Sequence, residues 1–214
     1  MANGYWNKIL RVDLASRKIW VEGLSEGEWK KILGGAGYGA KVMDEEVPAA
    51  VGPYDPENRI VFAVGPIQAT NVTGAAKFSI VGKSPQTGIF AGTAAGGDWG
   101  VALKKAGYDA LVIQGKSELP VYLWINDDEV EIRDAGHLWG KDAFEANDSI
   151  KEELQDKDVK VATIGQAGEK LVAIACVVVE KHSVAGRCGM GAVMGSKNLK
   201  AIGIKGTKAL AVHD

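Results

Sequence analysis

His182-Ser-Val-Ala-Gly-Arg-Cys-Gly-Met-Gly-Ala-Val-Met-Gly-Ser-Lys-Asn-Leu-Lys200 holds four glycines within ten residues. Arg187 lies among these glycines, and Lys197 and Lys200 follow them. Because glycine costs backbone entropy and adds nothing to a core, this density indicates that another group approaches the backbone closely. Exposed backbone N–H groups beside cationic side chains suit an anion, most often a phosphate. A mobile surface loop is the alternative, but the apolar run 192–194 favours a ligand site.

Composition outside this stretch indicates a globular chain of balanced charge. Its 214 residues carry 25 Lys and Arg against 27 Asp and Glu, so no basic surface for nucleic acid or a membrane is indicated. Cys176 and Cys188 are too few for a disulfide framework or a metal-ligand set. No signal peptide and no apolar run of transmembrane length is recognised. We expect a cytoplasmic protein that binds neither nucleic acid nor membranes.

Strand patterns dominate the chain. Apolar and polar residues alternate over residues 7–22 around a turn at Ala15-Ser16, which predicts a hairpin, and residues 121–133 predict another. The remaining apolar runs predict buried strands at 59–64, 78–81, 89–91, 109–114, 159–164, 171–179 and 199–205.

Helices are predicted where capping residues precede an amphipathic run. Ser25 with Glu28, and Asp142 with Glu145, have the spacing of a capping box. A second glycine cluster, Gly92-Thr-Ala-Ala-Gly-Gly97, follows a brief strand and is expected to open a helix over residues 99–106. A glycine-rich turn at a helix N-terminus points backbone N–H groups outward, so this cluster is a second candidate ligand cradle.

The predicted elements indicate one α+β domain. Strands outnumber helices by about two to one and many neighbours are joined by hairpins, which favours antiparallel sheet over a winding of parallel βαβ units. No linker divides the chain. We expect a domain over residues 1–207 and a loose C-terminal tail over 208–214.

Common catalytic and nucleotide-binding motifs are absent from the sequence. The glycines from Gly189 to Gly195 have the wrong spacing for a dinucleotide fold, and Gly195-Ser-Lys197 reverses the end of a P-loop. The histidines His137, His182 and His213 are far apart. We therefore assign no catalytic and no metal-ligating residue. Cys176 is expected in a buried strand, whereas Cys188 could approach a ligand or merely fill space.

Several segments together resemble the N-terminal domain of the tungsten-containing aldehyde:ferredoxin oxidoreductases. The resemblance covers nearly all of the chain, and its last segment is the most specific. The segments are Gly4-Tyr-Trp-Asn-Lys-Ile-Leu-Arg-Val-Asp-Leu14, Leu33-Gly-Gly-Ala-Gly37, Lys83-Ser-Pro-Gln-Thr-Gly88, Gly96-Gly-Asp-Trp-Gly-Val-Ala-Leu-Lys104, Ala106-Gly-Tyr-Asp-Ala110, His137-Leu-Trp-Gly-Lys141, Ile164-Gly-Gln-Ala-Gly-Glu169 and Gly189-Met-Gly-Ala-Val-Met-Gly-Ser-Lys-Asn-Leu-Lys-Ala-Ile202.

This resemblance implies two mainly antiparallel β-sheets with a few short helices. It also implies a bis-pterin cofactor that holds tungsten, or molybdenum, and whose phosphates are bridged by magnesium. By position, the pterin-contacting segments of the family fall on Lys77, Ala94, Ala95, Gly96, Gly97, Ser183, Val184, Ala185, Gly186 and Arg187. These residues include the glycines that the physical reasoning had singled out.

Three positions depart from the family pattern. The family commonly has arginine at Lys77, where lysine keeps the charge but loses bidentate contacts. A side-chain amide is common at Ala94, and another arginine is replaced by Ser183. Gly96, Gly97, Gly186 and Arg187 remain. We therefore expect a divergent member whose backbone contacts survive better than its side-chain contacts.

The resemblance implies a part of an oxidoreductase. In the family, helical C-terminal domains supply the cysteines of a 4Fe–4S cluster, and two cysteines cannot hold such a cluster. The expected partners are therefore those domains or a separate cluster-binding subunit, with ferredoxin as electron acceptor, and a homodimer remains open. The implied reaction is oxidation of an aldehyde to a carboxylic acid. The alternatives are an orphan, non-catalytic module that binds pterin or a partner, and a general binder of phosphate ligands.

Overall fold

The computed structural model describes residues 4–211, and these contain twelve strands and six short helices. Strands outnumber helices by two to one within the described part, as the sequence predicts. The first half of the chain contains β1 (Ile9–Asp13), β2 (Lys18–Glu22), α1 (Glu26–Ile32), α2 (Ala36–Glu46), β3 (Ile60–Ala63), β4 (Phe78–Lys83), β5 (Phe90–Ala95), α3 (Asp98–Lys105) and β6 (Ala110–Gln114). The second half contains β7 (Val121–Asn126), β8 (Glu129–Asp134), α4 (Ala143–Glu153), β9 (Lys160–Thr163), α5 (Gln166–Glu169), β10 (Val177–Val179), β11 (Ser183–Ala185), α6 (Met190–Ser196) and β12 (Leu199–Lys205).

The two six-stranded sheets share one topology. The first has the order β2-β1-β6-β3-β4-β5, and the second has the order β8-β7-β12-β9-β10-β11. In both sheets the second and third strands in this order are parallel, and all other neighbours are antiparallel. Each strand of the first sheet thus corresponds to the strand six places later. The chain therefore consists of two halves that repeat the same strand topology.

A pair of matching hydrogen bonds supports this correspondence. In the first half, the backbone N–H of Val64, which follows β3, donates to the carbonyl of Asp109 at 3.0 Å. In the second half, Ile164, which follows β9, donates in the same way to Lys200 at 3.0 Å. Each sheet therefore has the same backbone hydrogen bond between the residue after β3 or β9 and a residue near the start of β6 or β12.

The fold class is confirmed, with two corrections of detail. The sheets are mainly antiparallel, but β1 pairs with β6, and β7 with β12, in parallel. The strand predicted over residues 171–179 is wrong for most of its length, because only Val177–Val179 is a strand. Leu171 has a φ of +56°, and the Ala175 carbonyl accepts from the N–H of Gly191 in α6. This segment is therefore a loop that binds a helix, and Cys176 lies in it, partly buried, instead of in a core strand.

Both predicted capping boxes are confirmed. The Ser25 hydroxyl accepts from the N–H of Glu28, and the Glu28 carboxylate accepts from the N–H of Ser25 at the start of α1. Asp142 and Glu145 make the same reciprocal pair at the start of α4. The local spacing alone fixed these two helix starts.

The main core lies between the sheets. It joins apolar side chains of both sheets to those of α3 and α6, which also lie between the sheets, and includes Phe62, Trp99, Met190 and Ile202. The indole N–H of Trp99 in α3 donates to the Ile202 carbonyl in β12 at 3.0 Å, so α3 contacts the opposite sheet.

Two smaller cores cover the outer faces. Trp29 and Tyr38 of α1 and α2 pack on the outer face of the first sheet, and Ile150 of α4 packs on that of the second. No helix within residues 4–211 has the length and apolar character needed to cross a bilayer. Beyond β12, the N–H of Lys208 donates to the Lys105 carbonyl at 2.9 Å. His213 lies outside the described residues, and the predicted domain boundary at residue 207 stays a prediction.

Candidate cofactor site

A cleft lies where the edge strands of the two sheets face each other. β5 and β11 occupy corresponding edges, and each is paired on one side only, with β4 and β10 respectively. The cleft has a volume of about 500 Å³. It is lined by Gly92, Thr93 and Ala94 of β5, and by Val184, Gly186 and Arg187 in and after β11. Strand edges present unpaired backbone N–H and C=O groups, so this cleft offers main-chain hydrogen bonds to a ligand.

Each edge strand leads through a glycine-containing turn into a helix between the sheets. β5 continues through Gly96 and Gly97 into α3, and Gly97 has a φ of +87°. β11 continues through residues 186–189 into α6. A Cβ atom on Gly189 would lie 2.0 Å from the Ala173 carbonyl oxygen, so no larger residue fits there. The predicted second cradle is thus shorter than expected, because Gly92–Ala95 belong to β5 and only two glycines form the turn.

Two cations of the predicted site, Arg187 in the cleft wall and Lys77 directly before β4, have no anionic partner in the described part of the chain. Neither Lys77 nor Arg187 makes a side-chain hydrogen bond or an ion pair within residues 4–211, and both are exposed. None of the described residues that line the cleft carries a carboxylate. An anionic ligand would therefore meet uncompensated positive charge without displacing an existing partner.

The two lysines after the glycine stretch do not contribute to this site. Lys197 is completely buried and donates to the carbonyls of Pro56 and Gly115 at 3.1 and 3.3 Å. Lys200 is also completely buried and donates to Glu169 and to a backbone carbonyl. Their proximity to the glycines in sequence is thus misleading, because α6 and β12 direct both side chains into the fold.

The predicted site residues fall into three groups. Ala94, Val184, Gly186 and Arg187 line the cleft. Gly96 and Gly97 lie against Ser183, whose Oγ is 3.7 and 3.6 Å from the positions that their Cβ atoms would take. Ala95 and Ala185 are buried at the base of the two edge strands, and Lys77 is an exposed residue directly before β4. Whether these residues contact a cofactor stays a prediction.

Gly92 and Thr93 also line the cleft; they belong to the second candidate cradle of the sequence, although the resemblance does not assign them as pterin contacts. The repeat is the signal that distinguishes Thr93 within this cradle, since Thr93 occupies the position in β5 that Ser183 occupies in β11. Cys188 is partly buried beside the cleft, and its Sγ lies 3.8 Å from the Gly92 carbonyl oxygen.

The residues of the site do not themselves form a metal centre. Within residues 4–211, no three His, Cys, Asp or Glu side chains converge as ligands. The open glycine turns and unpaired cations suit an anionic organic ligand. A ligand of that kind could bring a metal whose coordination comes from the ligand's own atoms.

Comparisons with known proteins agree with this fold and show that the matching region is one part of longer proteins. The family model described as "Aldehyde ferredoxin oxidoreductase, N-terminal domain" matches residues 9–206. A tungsten-containing aldehyde ferredoxin oxidoreductase of Pyrococcus abyssi is 47% identical over 99% of this chain and 35% of its own length. The WOR-like subunit of an aliphatic sulfonate oxidoreductase of Pyrococcus furiosus is 37% identical over 96% of this chain and 35% of its own length.

A solved structure has the same fold. It is described as the active site complex BamBC of benzoyl coenzyme A reductase with 1,5-dienoyl-CoA, and it matches with a TM-score of 0.96 and 43% identity. The match covers 99% of this chain and 32% of that chain. This chain therefore spans about a third of the length of the relatives it matches.

Proposed function

Because the chain belongs to the aldehyde ferredoxin oxidoreductase N-terminal domain family, we propose that it binds a tungsten bis-pterin cofactor as part of an oxidoreductase. Molybdenum is the alternative metal, and magnesium would bridge the pterin phosphates. The enzyme as a whole would oxidise an aldehyde to a carboxylic acid. Its electrons would pass through a 4Fe–4S cluster, held by further helical domains or a separate subunit, to ferredoxin.

The cleft between β5 and β11 carries this proposal. Two glycine-containing turns let a ligand approach the backbone, and neither Arg187 at the cleft nor Lys77 directly before β4 has a carboxylate partner in the described part of the chain. Phosphate groups are bound in proteins by this combination of exposed N–H groups and free cations. The side chains of Lys77 and Arg187 would neutralise and orient the phosphates, and the turns at Gly96 and Gly186 would hold them by the main chain.

The repeat also matches a ligand that has two equivalent halves. β5 and β11 hold corresponding positions in the two sheets, so the cleft has two similar walls. A bis-pterin cofactor has two similar halves on either side of one metal, and when bound it supplies the redox chemistry. The role of this chain would be to bind and orient the two halves and to exclude water beneath them.

Exposed apolar side chains of the edge strands and of nearby chain segments support a covering partner. Most of the exposed large apolar residues of the described chain lie in β5 and β11 or in the segments before β4, β5 and β10: Ile67, Val72, Ile89, Phe90, Leu171, Val172, Ile174 and Val184. Apolar surface of this extent usually marks an interface. The further domains or the cluster-binding subunit would cover it, and the cytoplasmic location stays a prediction.

The substrate would be selected outside this chain. The relatives that match it are named for aldehydes, for aliphatic sulfonates and for benzoyl coenzyme A, although each contains the same domain. An aldehyde is the substrate we propose, because the identity is highest among the relatives above for an aldehyde oxidoreductase. A non-catalytic pterin- or partner-binding module is the second candidate, favoured by Ser183 and Lys77, which depart from the family pattern.

Tungsten and pterin content test the proposal. The chain would be produced with tungstate in a host that makes the pterin cofactor, together with its partner domains, and tungsten would be measured by mass spectrometry and pterin by fluorescence. Gly186→Ala adds a methyl group to the cleft wall, and its Cβ would lie 3.7 Å from Val184 Cγ1, an ordinary contact. We expect this variant to fold and to lose most of its tungsten and pterin.

Gly27→Ala is the matched control. Gly27 lies in α1, and a Cβ there would have no neighbour within 4 Å, so this variant should keep the full cofactor content. An unsubstituted protein that contains neither tungsten nor pterin would contradict the proposal. Tungsten without pterin would contradict it as well, because the chain has no metal centre of its own in the described residues.

A further inference from the structure

Thr93 in β5 and Ser183 in β11 occupy the same position in the two halves of the repeat. Thr93 lies opposite Ile80 in the β4–β5 ladder, and Ser183 lies opposite Val179 in the β10–β11 ladder. The next two residues also correspond, and each strand ends at a buried alanine, Ala95 or Ala185. From the hydroxyl residue onward, both strands show the burial order partly buried, exposed, buried. The two side chains therefore belong to the same face of corresponding strands.

Each of these two residues lies near the glycine turn of the other half, Ser183 by direct approach and Thr93 across the cleft. Ser183 lies against the turn of the first half, with its Oγ 3.6 Å from the position that a Cβ of Gly97 would take. Thr93 lines the cleft together with Gly186 and Arg187, which form the turn of the second half. Ser183 thus approaches the glycine turn of the first half, and Thr93 shares the cleft with the turn of the second half.

Both hydroxyl groups are free to bind a ligand. Within residues 4–211, neither Thr93 Oγ1 nor Ser183 Oγ has a hydrogen-bond partner in the protein. Hydroxyl groups elsewhere are used by the fold: Thr163 donates to the Lys200 carbonyl at 3.0 Å, and Ser196 to the Val193 carbonyl at 2.9 Å. A partly buried hydroxyl without a partner keeps its donor and acceptor capacity for a bound molecule.

We propose that Thr93 and Ser183 are an equivalent pair of ligand-binding residues, each of which hydrogen-bonds one half of a ligand with two similar halves. The proposal rests on the proposed function, from which it takes the bis-pterin as ligand, and it adds Thr93 as a contact. The equivalence predicts that the two hydroxyl groups contribute similarly and independently, because they contact different halves of the ligand.

The release rate of pterin from the loaded protein tests this pair. Thr93→Val replaces the hydroxyl by a methyl group of similar size, and Ser183→Ala removes the hydroxyl. After dilution, release would be followed by the fluorescence of free pterin. Loss of one hydrogen bond should accelerate release about tenfold in each variant. The double variant should release pterin about a hundredfold faster than the unsubstituted protein.

Two further variants separate binding from folding. Thr93→Ser keeps the hydroxyl and should release pterin at the unsubstituted rate. Neither hydroxyl has a hydrogen-bond partner among residues 4–211, so the cofactor-free variants should keep the unsubstituted thermal midpoint. If Thr93→Val lowers this midpoint, Thr93→Ala takes its place, since it adds no apolar group.

Two different results would overturn the pairing. If the unsubstituted protein holds pterin and Thr93→Val releases it at the same rate, Thr93 makes no contact, and the proposed function still stands. If the unsubstituted protein holds no pterin, the pairing and the proposed function are both overturned.

Discussion

Lys197→Met should change the way in which stability depends on pH. Lys197 is completely buried, and its ammonium group has no carboxylate within salt-bridge distance in the described residues. Burial, reinforced by the positive charge of Arg59, lowers its pKa from 10.5 to about 7, although Glu57, Asp13 and Asp55 act in the opposite direction. The folded protein therefore holds this lysine partly neutral at pH 7.

The sign and size of the effect follow from this pKa. The unfolded chain binds one more proton at Lys197 than the folded chain between about pH 7 and pH 10.5, so the free energy of unfolding rises with pH in this window. Between pH 7 and pH 9 the rise amounts to about 2 kcal/mol. A methionine side chain cannot titrate, so the Lys197→Met variant should lack this rise. The loss of the hydrogen bonds to two carbonyls shifts the stability of the variant by a similar amount at every pH.

Denaturant unfolding at pH 7, 8 and 9 measures this difference. The free energy of unfolding of the unsubstituted protein minus that of Lys197→Met should increase by about 2 kcal/mol across the series. Lys30→Met is the control, because the Lys30 side chain is 73% exposed. The free energy of unfolding of this variant, plotted against pH, should run parallel to that of the unsubstituted protein. Parallel curves for Lys197→Met and the unsubstituted protein would refute the reasoning, since they would mean that Lys197 binds its proton equally in both states.

Two further substitutions test the packing and the caps. Gly195→Ala in α6 should lower the free energy of unfolding by about 3 kcal/mol, because its Cβ would lie 2.0 Å from the Gly168 carbonyl oxygen. Gly27→Ala should instead raise the free energy of unfolding by up to about 1 kcal/mol. Equal effects of the two substitutions in denaturant unfolding would contradict the close packing of α6 on α5. Ser25→Ala should lower the free energy of unfolding by about 1 kcal/mol in the same assay. Ser25→Asp should change it little, because the aspartate can still accept from the N–H of Glu28. An unchanged unfolding midpoint for Ser25→Ala would mean that the capping box contributes nothing to stability.

Local interactions explain what could be predicted from the sequence. The hairpins β1–β2 and β7–β8, and the capping boxes of α1 and α4, depend on residues a few positions apart, and all four are confirmed. The glycine-rich stretches also marked the two turns beside the cleft. These signals need no knowledge of distant partners.

Distant pairing explains what could not be predicted. Nothing in residues 9–13 indicates that β1 pairs in parallel with β6, about a hundred positions later in the chain. The apolar run at 171–176 has the composition of a strand, but its carbonyls meet α6 instead of another strand. Lys197 and Lys200 follow the glycine stretch directly, yet α6 and β12 carry both into the interior.

The repeat itself left a weak trace in the sequence. Gly100, Ala110, Ile113 and Gly115 recur, at a constant spacing, as Gly191, Ala201, Ile204 and Gly206. Four small or apolar identities of this kind do not stand out in a chain with 28 glycines. The common strand order makes them meaningful, and it also identifies Thr93 as the counterpart of Ser183.

The position of the last strand in each half constrains the order in which the protein can fold during synthesis. β6 and β12 are made last in their halves, yet each lies inside its sheet, between β1 and β3 or between β7 and β9. The strands made earlier in each half therefore cannot complete their sheet on the ribosome until this inner strand emerges. The first sheet can close once Gln114 has left the exit tunnel, and α3 covers part of its inner face, but the rest of that apolar layer stays uncovered until α6 and β12 follow. A nascent chain of this kind keeps part of its apolar core exposed while its second half is synthesised, the interval in which a chaperone would bind it.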